Sequence, residues 1–177
     1  MDPLRHIRLM AQYNEWMNAK LYETAARLPR EELEKERGAF FGSLLGTLNH
    51  IMVGDIIWLK RMAAHPAAHR SLEPVRLRAS PSALNEILYR DFAELTHARK
   101  DLDNTILSWT AELSGADLDH ALEYRNMKGV PGRKLFGTLV LNLFNHQTHH
   151  RGQATTLLFQ AGLDIGVTDL LAIIPEV

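Results

Sequence analysis

Apolar residues recur every three to four positions through most of this chain, and that spacing predicts four long helices. The first runs from about Pro3 to Leu28, with Leu4, Ile7, Met10, Met17, Leu21, Ala25 and Leu28 on one stripe. Asp2 can cap it and Pro3 suits its first position. Asn14 interrupts the stripe near its middle. Pro29 to Gly42 reads as a charged connection with one short turn of helix at Glu31–Lys35. The second helix runs from about Leu44 to Ala64 behind Ser43, and Asp55 breaks its stripe of Leu45, Leu48, Met52, Leu59 and Met62. His65 to Ala79 contains Pro66 and Pro74 and reads as a loop. A third helix is expected from Pro81, behind Ser80, to about Thr110, carrying Leu84, Leu88, Phe92, Leu95, Leu102, Ile106 and Trp109.

The pattern changes between about Leu122 and Leu135, where Asn126-Met127-Lys128-Gly129 separates two short segments; this predicts a β-hairpin or an extended loop. The fourth long helix follows from about Phe136 to Ala161, with Gly162 as its C-terminal cap. Thr168 and Asp169 can cap a short last helix, Leu170–Ile174. Four amphipathic segments joined by moderate loops point to an all-α four-helix bundle, read as a single domain over residues 1–177.

Composition narrows the function. Hydrophobic residues make up 46% and charged residues 23%, as in an ordinary soluble globular protein. The formal net charge is −1, with no basic block to track a phosphate backbone, so nucleic acid is not the expected partner. No apolar run approaches the roughly 18–20 residues of a membrane span, and Met1-Asp2-Pro3-Leu4-Arg5-His6 is too polar for a secretory signal. A cytoplasmic protein acting on a small-molecule ligand is the expectation. The absence of cysteine excludes disulfides, Cys-ligated zinc, iron–sulfur clusters and a protein thiol nucleophile. Any transition metal must be held by His, Asp or Glu.

The candidate chemistry lies in Asn145-His146-Gln147-Thr148-His149-His150-Arg151-Gly152-Gln153, inside the fourth helix. His146 and His150 are four apart and share a helix face, close enough to share one ion; His146 with His149 is also compatible with one face. A third ligand must come from elsewhere, and His50, inside the apolar second helix, is the best candidate. Gly46 and Gly54 lie one turn either side of His50, and a helix that carries both has left space there. That space serves either close helix packing or an open pocket above a metal. His65 and His69, beside prolines in a loop, read as bland, and His97 and His120 as solvated. Trp58 reads as core or pocket wall. Asn14, Asp55 and Gln153 are candidates to line the pocket or support the ligands. Arg151 either binds a substrate carboxylate or forms a salt bridge that fixes its helix.

His146-x-x-x-His150-Arg151-Gly152-Gln153 resembles the HxxxHRGQ element of the DinB/YfiT-like family of candidate metalloenzymes. Leu48-Asn49-His50 followed by Trp58-Leu59 resembles that family's central-helix histidine and the tryptophan two turns on. Tyr13-Asn14-Glu15-Trp16, the stretch from Gly162 to Asp169 and the spacing between His50 and His146 add to the resemblance, which spans nearly the whole chain. It implies an up-down-down-up four-helix bundle, often dimeric, with metal ligands at His50, His146 and His150. The preference for His150 over His149 comes from this resemblance. Related members include bacillithiol transferases and a mycothiol-dependent maleylpyruvate isomerase, which implies a low-molecular-weight thiol as a second cofactor.

The expected centre is therefore a divalent transition ion (zinc, nickel, iron or manganese) on three imidazoles with open coordination positions. Such an ion lowers the pKa of a bound water or thiol and makes a nucleophile near neutral pH. The expected activity is metal-dependent transfer to, or hydrolysis of, a small electrophilic molecule. The competing reading is a non-enzymatic, metal-dependent module for ligand binding or dimerisation.

Overall fold

The computed structural model describes residues 2–176; Met1 and Val177, the ends of the expected domain, lie outside the described residues. Among the described residues the chain is predominantly helical, with seven α-helices and a two-stranded antiparallel sheet placed before the last long helix. Four helices are long: α1 (Pro3–Ala25), α3 (Leu44–Met62), α5 (Phe92–Glu112) and α7 (Phe136–Gln160). Helix α1 lies against α5 and α7, and α7 lies against α3. Between them run buried side chains such as Leu21, Leu48, Met52, Leu59, Leu102, Ile106, Trp109, Leu139, Leu143 and Leu158. No helix among the described residues is long and apolar enough to cross a membrane.

The helix starts follow from local chemistry. Asp2 Oδ1 accepts from the Leu4 N–H (3.1 Å) ahead of α1, and Ser43 Oγ accepts from the Gly46 N–H (3.0 Å) ahead of α3. At the far end of α7, Gly162 takes φ 81°, the left-handed conformation that ends a helix with least strain in glycine. The expected turn at Glu31–Lys35 is α2 (Arg30–Glu34). Helix α1 stops at Ala25 and α3 at Met62, each a few residues short of expectation. The expected last helix is a 3-10 turn at Leu170–Ile173, and Asp169 makes no side-chain cap bond there.

The third long helix begins at Phe92, ten or so residues later than its apolar spacing suggests. Residues 81–90 form no helix because their backbone groups are engaged elsewhere. The Asn49 side chain brackets Tyr89, donating to its carbonyl (3.0 Å) and accepting from its N–H (2.9 Å). The Leu84 carbonyl is taken by His50. Asp91 then caps α5 by accepting from the Glu94 N–H at 2.9 Å. Leu84, expected on the buried stripe, is 51% exposed.

The stretch after α3 is more ordered than a plain loop. It contains a 3-10 turn (Arg70–Leu72) and α4 (Glu73–Leu77), while α6 (Gly115–Leu118) follows α5. The hairpin pairs β1 (Ala121–Arg125) with β2 (Pro131–Leu135), Ala121 opposite Leu135 and Arg125 opposite Pro131. Asn126 turns the chain by accepting from the Lys128 N–H at 2.9 Å. Trp58 of α3 meets Tyr124 of β1 edge to face, ring centroids 5.5 Å apart, with the Arg61 guanidinium 4.7 Å over the indole. Those contacts turn Trp58 toward the hairpin.

Candidate metal centre

Three imidazoles from two helices meet where α3 packs on α7. His50 Nε2 stands 3.2 Å from His150 Nε2 and 3.2 Å from His146 Nε2. Two donors bound tetrahedrally to one ion at about 2.0–2.1 Å stand roughly 3.3–3.4 Å apart, so the spacing fits a shared ion. The opposite edges of two rings fix their tautomers. His50 Nδ1–H donates to the Leu84 carbonyl (2.7 Å), and His150 Nδ1–H donates to Gln153 Oε1 (2.8 Å). Each of these Nε2 atoms therefore presents a lone pair toward the others, an arrangement that a cation satisfies. His146 Nδ1 is buried without a partner.

The rings are held neutral. Burial pushes the His146 imidazole down to about 3, helped by the neighbouring His150 and His50. Burial also lowers His50 and His150, against the hydrogen bonds they donate to the Leu84 and Gln153 oxygens, which raise them. For a histidine lowered in the fold, acid protonates the unfolded chain first, so stability falls with pH below about 6.5. The metal-free protein should accordingly lose stability on acidification from 6.5 toward 3, seen as a falling urea midpoint. The slope should be shallower in His146→Leu, a comparison that cancels contributions from other groups.

His149 stands outside this cluster. It is exposed and accepts from Gln153 Nε2 at 3.3 Å. Gln153 thus lies directly behind one ring of the cluster. Phe41, which the sequence reading did not single out, stacks on His50 with ring centroids 3.7 Å apart and meets His150 edge to face at 5.6 Å. It comes from the turn just before α3, and Gly46 is what lets that turn close: a Cβ there would lie 2.1 Å from the Phe41 carbonyl oxygen.

Gly54 does not hold open a pocket. A Cβ at this position would lie 2.3 Å from His146 Cε1, so the space beside the helix is filled by the imidazole itself. Of the two readings left open by the sequence, close approach holds at Gly54, and what approaches is a side chain of α7. Gly54→Leu should displace the His146 ring, destabilise the protein by about 1–3 kcal/mol through overpacking, and weaken ion binding. Urea unfolding and zinc titration read the two effects separately.

Asn14, Asp55 and Arg151 lie away from the ring nitrogens, in a polar circuit through all four long helices. Arg151 donates to Asn14 Oδ1 and to Gln147 Oε1 (3.2 Å). Asn14 donates to Asp103 (3.1 Å), which pairs with Arg99 through Arg99 Nε (3.0 Å) and Nη2 (2.8 Å). Arg99 Nη1 reaches Asp55 at 2.6 Å, and Gln147 Nε2 donates to the same Asp55 oxygen. All six side chains are buried. Burial pushes Asp55 up to about 6, against the pull of Arg99, and Arg99 stays cationic between its two carboxylates. The Arg151 guanidinium donates to Asn14, Gln147 and Thr148. Arg99, Asp103 and Gln147 went unnoticed in the sequence. Only the i, i+4 spacing of Arg99 and Asp103 hinted at an ion pair.

The profile of the DinB family matches residues 3–175. The chain belongs to the DinB family. A DinB-family relative, Protein DinB of Bacillus subtilis (strain 168), is 22% identical over 158 residues, covering 89% of this chain and 87% of that protein. No solved structure gives a significant match. Family membership and the convergence of His50, His146 and His150 are compatible with a metal-binding protein.

Proposed function

We propose that this DinB-family protein holds one divalent transition ion on His50, His146 and His150. It would use the ion to activate a small thiol or water for transfer to, or hydrolysis of, a small electrophilic molecule. The observation that carries this reading is the convergence of three Nε2 atoms, two of them with their Nδ1 protons pinned by Leu84 and Gln153. Bound there, the ion supplies Lewis acidity that lowers the pKa of a water or thiol. The chain's own residues orient the rings. The Leu84 carbonyl and Gln153 amide hold the tautomers, Phe41 screens the face of His50 from water, and the buried circuit fixes α7 against the other helices. Three imidazoles would hold such an ion while leaving room for an incoming ligand.

The reading includes an up-down-down-up bundle of α1, α3, α5 and α7, supported by their mutual packing. It also includes a homodimer, for which the half-exposed Leu135 and Leu141 offer apolar area beside Leu4. Metal analysis followed by a screen of thiols, electrophiles and hydrolytic substrates tests the activity. Turnover should need the ion and vanish in His50→Ala. Activity that survives complete chelation would reject the mechanism, and tight ligand binding without turnover would favour a binding module.

A further inference from the structure

The turn that follows α3 carries a second group of metal-type donors. His65 and His69, expected to be loop residues of no consequence, are 5% and 8% exposed. They stand against Asp117 of α6, and one ligating atom from each of the three lies within 4.8 Å of the other two. His69 Nε2 is 3.5 Å from Asp117 Oδ2, a contact that takes the ring's N–H and leaves the Nδ1 lone pair free. His65 Nε2 and His69 Nδ1 are buried without hydrogen-bond partners, which native interiors seldom tolerate unless something is missing from the picture.

The backbone is bent to make this arrangement. Ala68 takes φ 50°, the one positive value at a non-glycine residue among the described residues, in a region that a Cβ disfavours. Its N–H donates to the His65 carbonyl (2.9 Å), which folds the turn so that the His65 and His69 ring centroids are 5.2 Å apart. Phe136 closes one side, 4.5 Å from His65 and 6.1 Å from His69. On the other side Ser114 donates to Asp117 Oδ2 through its N–H (2.7 Å) and its hydroxyl (2.8 Å), which fixes the carboxylate.

We infer that His65, His69 and Asp117 form a second site for a divalent transition cation, independent of the His50–His146–His150 cluster, which clips the turn after α3 to α6. Two imidazoles and a carboxylate are a donor set that zinc accepts. A neutral imidazole has one lone pair, and that of His65 accepts the Ala67 N–H at 3.1 Å. The cation must displace this bond, whereas the other cluster has lone pairs already turned inward. The second site therefore fills after the first and binds more weakly.

Equilibrium dialysis of the full-length, metal-free protein against zinc tests the inference. The wild type should take up two ions per chain, His50→Ala one and His69→Asn one. In the wild type, with no substitution to threaten folding, the ring nitrogen signals of His65 and His69 should move in long-range 15N spectra as the second equivalent is added. A wild type that saturates at one ion, lost in His50→Ala and kept in His69→Asn, would overturn it. So would a second equivalent that leaves those ring signals in place. A single ion lost in His69→Asn and kept in His50→Ala would uphold this site while removing the one proposed above.

Discussion

Replacing Arg99 with methionine is expected to remove about 3–5 kcal/mol of folding stability, the cost of stranding a buried charge whose partner is deleted. Two carboxylates depend on this guanidinium, Asp55 from α3 and Asp103 from its own helix, and all three groups are buried. Burial already holds Asp55 at about 6 with Arg99 present. Without the cation its pKa must rise further, because the largest influence lowering it has gone. Urea unfolding at neutral pH measures the loss. Acid should reduce it, since a protonated Asp55 no longer carries the stranded charge. A loss that is small, or that grows in acid, would show that the circuit does not depend on Arg99.

His50→Ala should weaken zinc binding at the three-histidine cluster by more than about 100-fold, beyond the 10–100-fold expected for losing a group behind a ligand. Gln153→Ala should fall inside that lower range, because it frees the His150 ring without removing a donor. His149→Ala should leave binding at this cluster nearly unchanged, since His149 sits outside it. Competition with a coloured chelator reads all three. Equal losses for Gln153→Ala and His50→Ala would mean that ring orientation matters as much as the donor. No loss in His50→Ala would remove the three-ligand centre.

Much of the architecture was legible because long helices advertise themselves by apolar period, and because capping residues such as Asp2 and Ser43 stand where their side chains act. The start of α5 was misplaced because Ser80-Pro81 imitates a helix opening and Leu84 and Leu88 continue the stripe. The deciding contacts come from Asn49 and His50, more than thirty residues away, and no local pattern reveals them. Asp91 and Glu94 did carry the true opening signal, which a longer expected helix masked. At the cluster, helical spacing brought out His146 with either His149 or His150, the family resemblance chose His150, and neither could show that the gap at Gly54 is filled by the His146 ring. The same limit applies to the polar circuit. Asn14 and Asp55 look like interruptions of apolar stripes until the chain folds and supplies Arg151 and Arg99. His65 and His69 were passed over because prolines mark loops, and a loop does not announce that its side chains are buried.

The separation of His50 from His146 along the chain, 96 residues, bears on when the protein can acquire an ion. During synthesis His50 emerges with α3 long before α7 exists, and a lone imidazole is a poor ligand for any divalent ion. Closing a loop of that length carries an entropic cost that the packing of α7 on α3 and α1 offsets. Loading of the proposed cluster would therefore wait until α7 has packed on α3. A chain truncated before α7 would lack two of the three donors of this cluster.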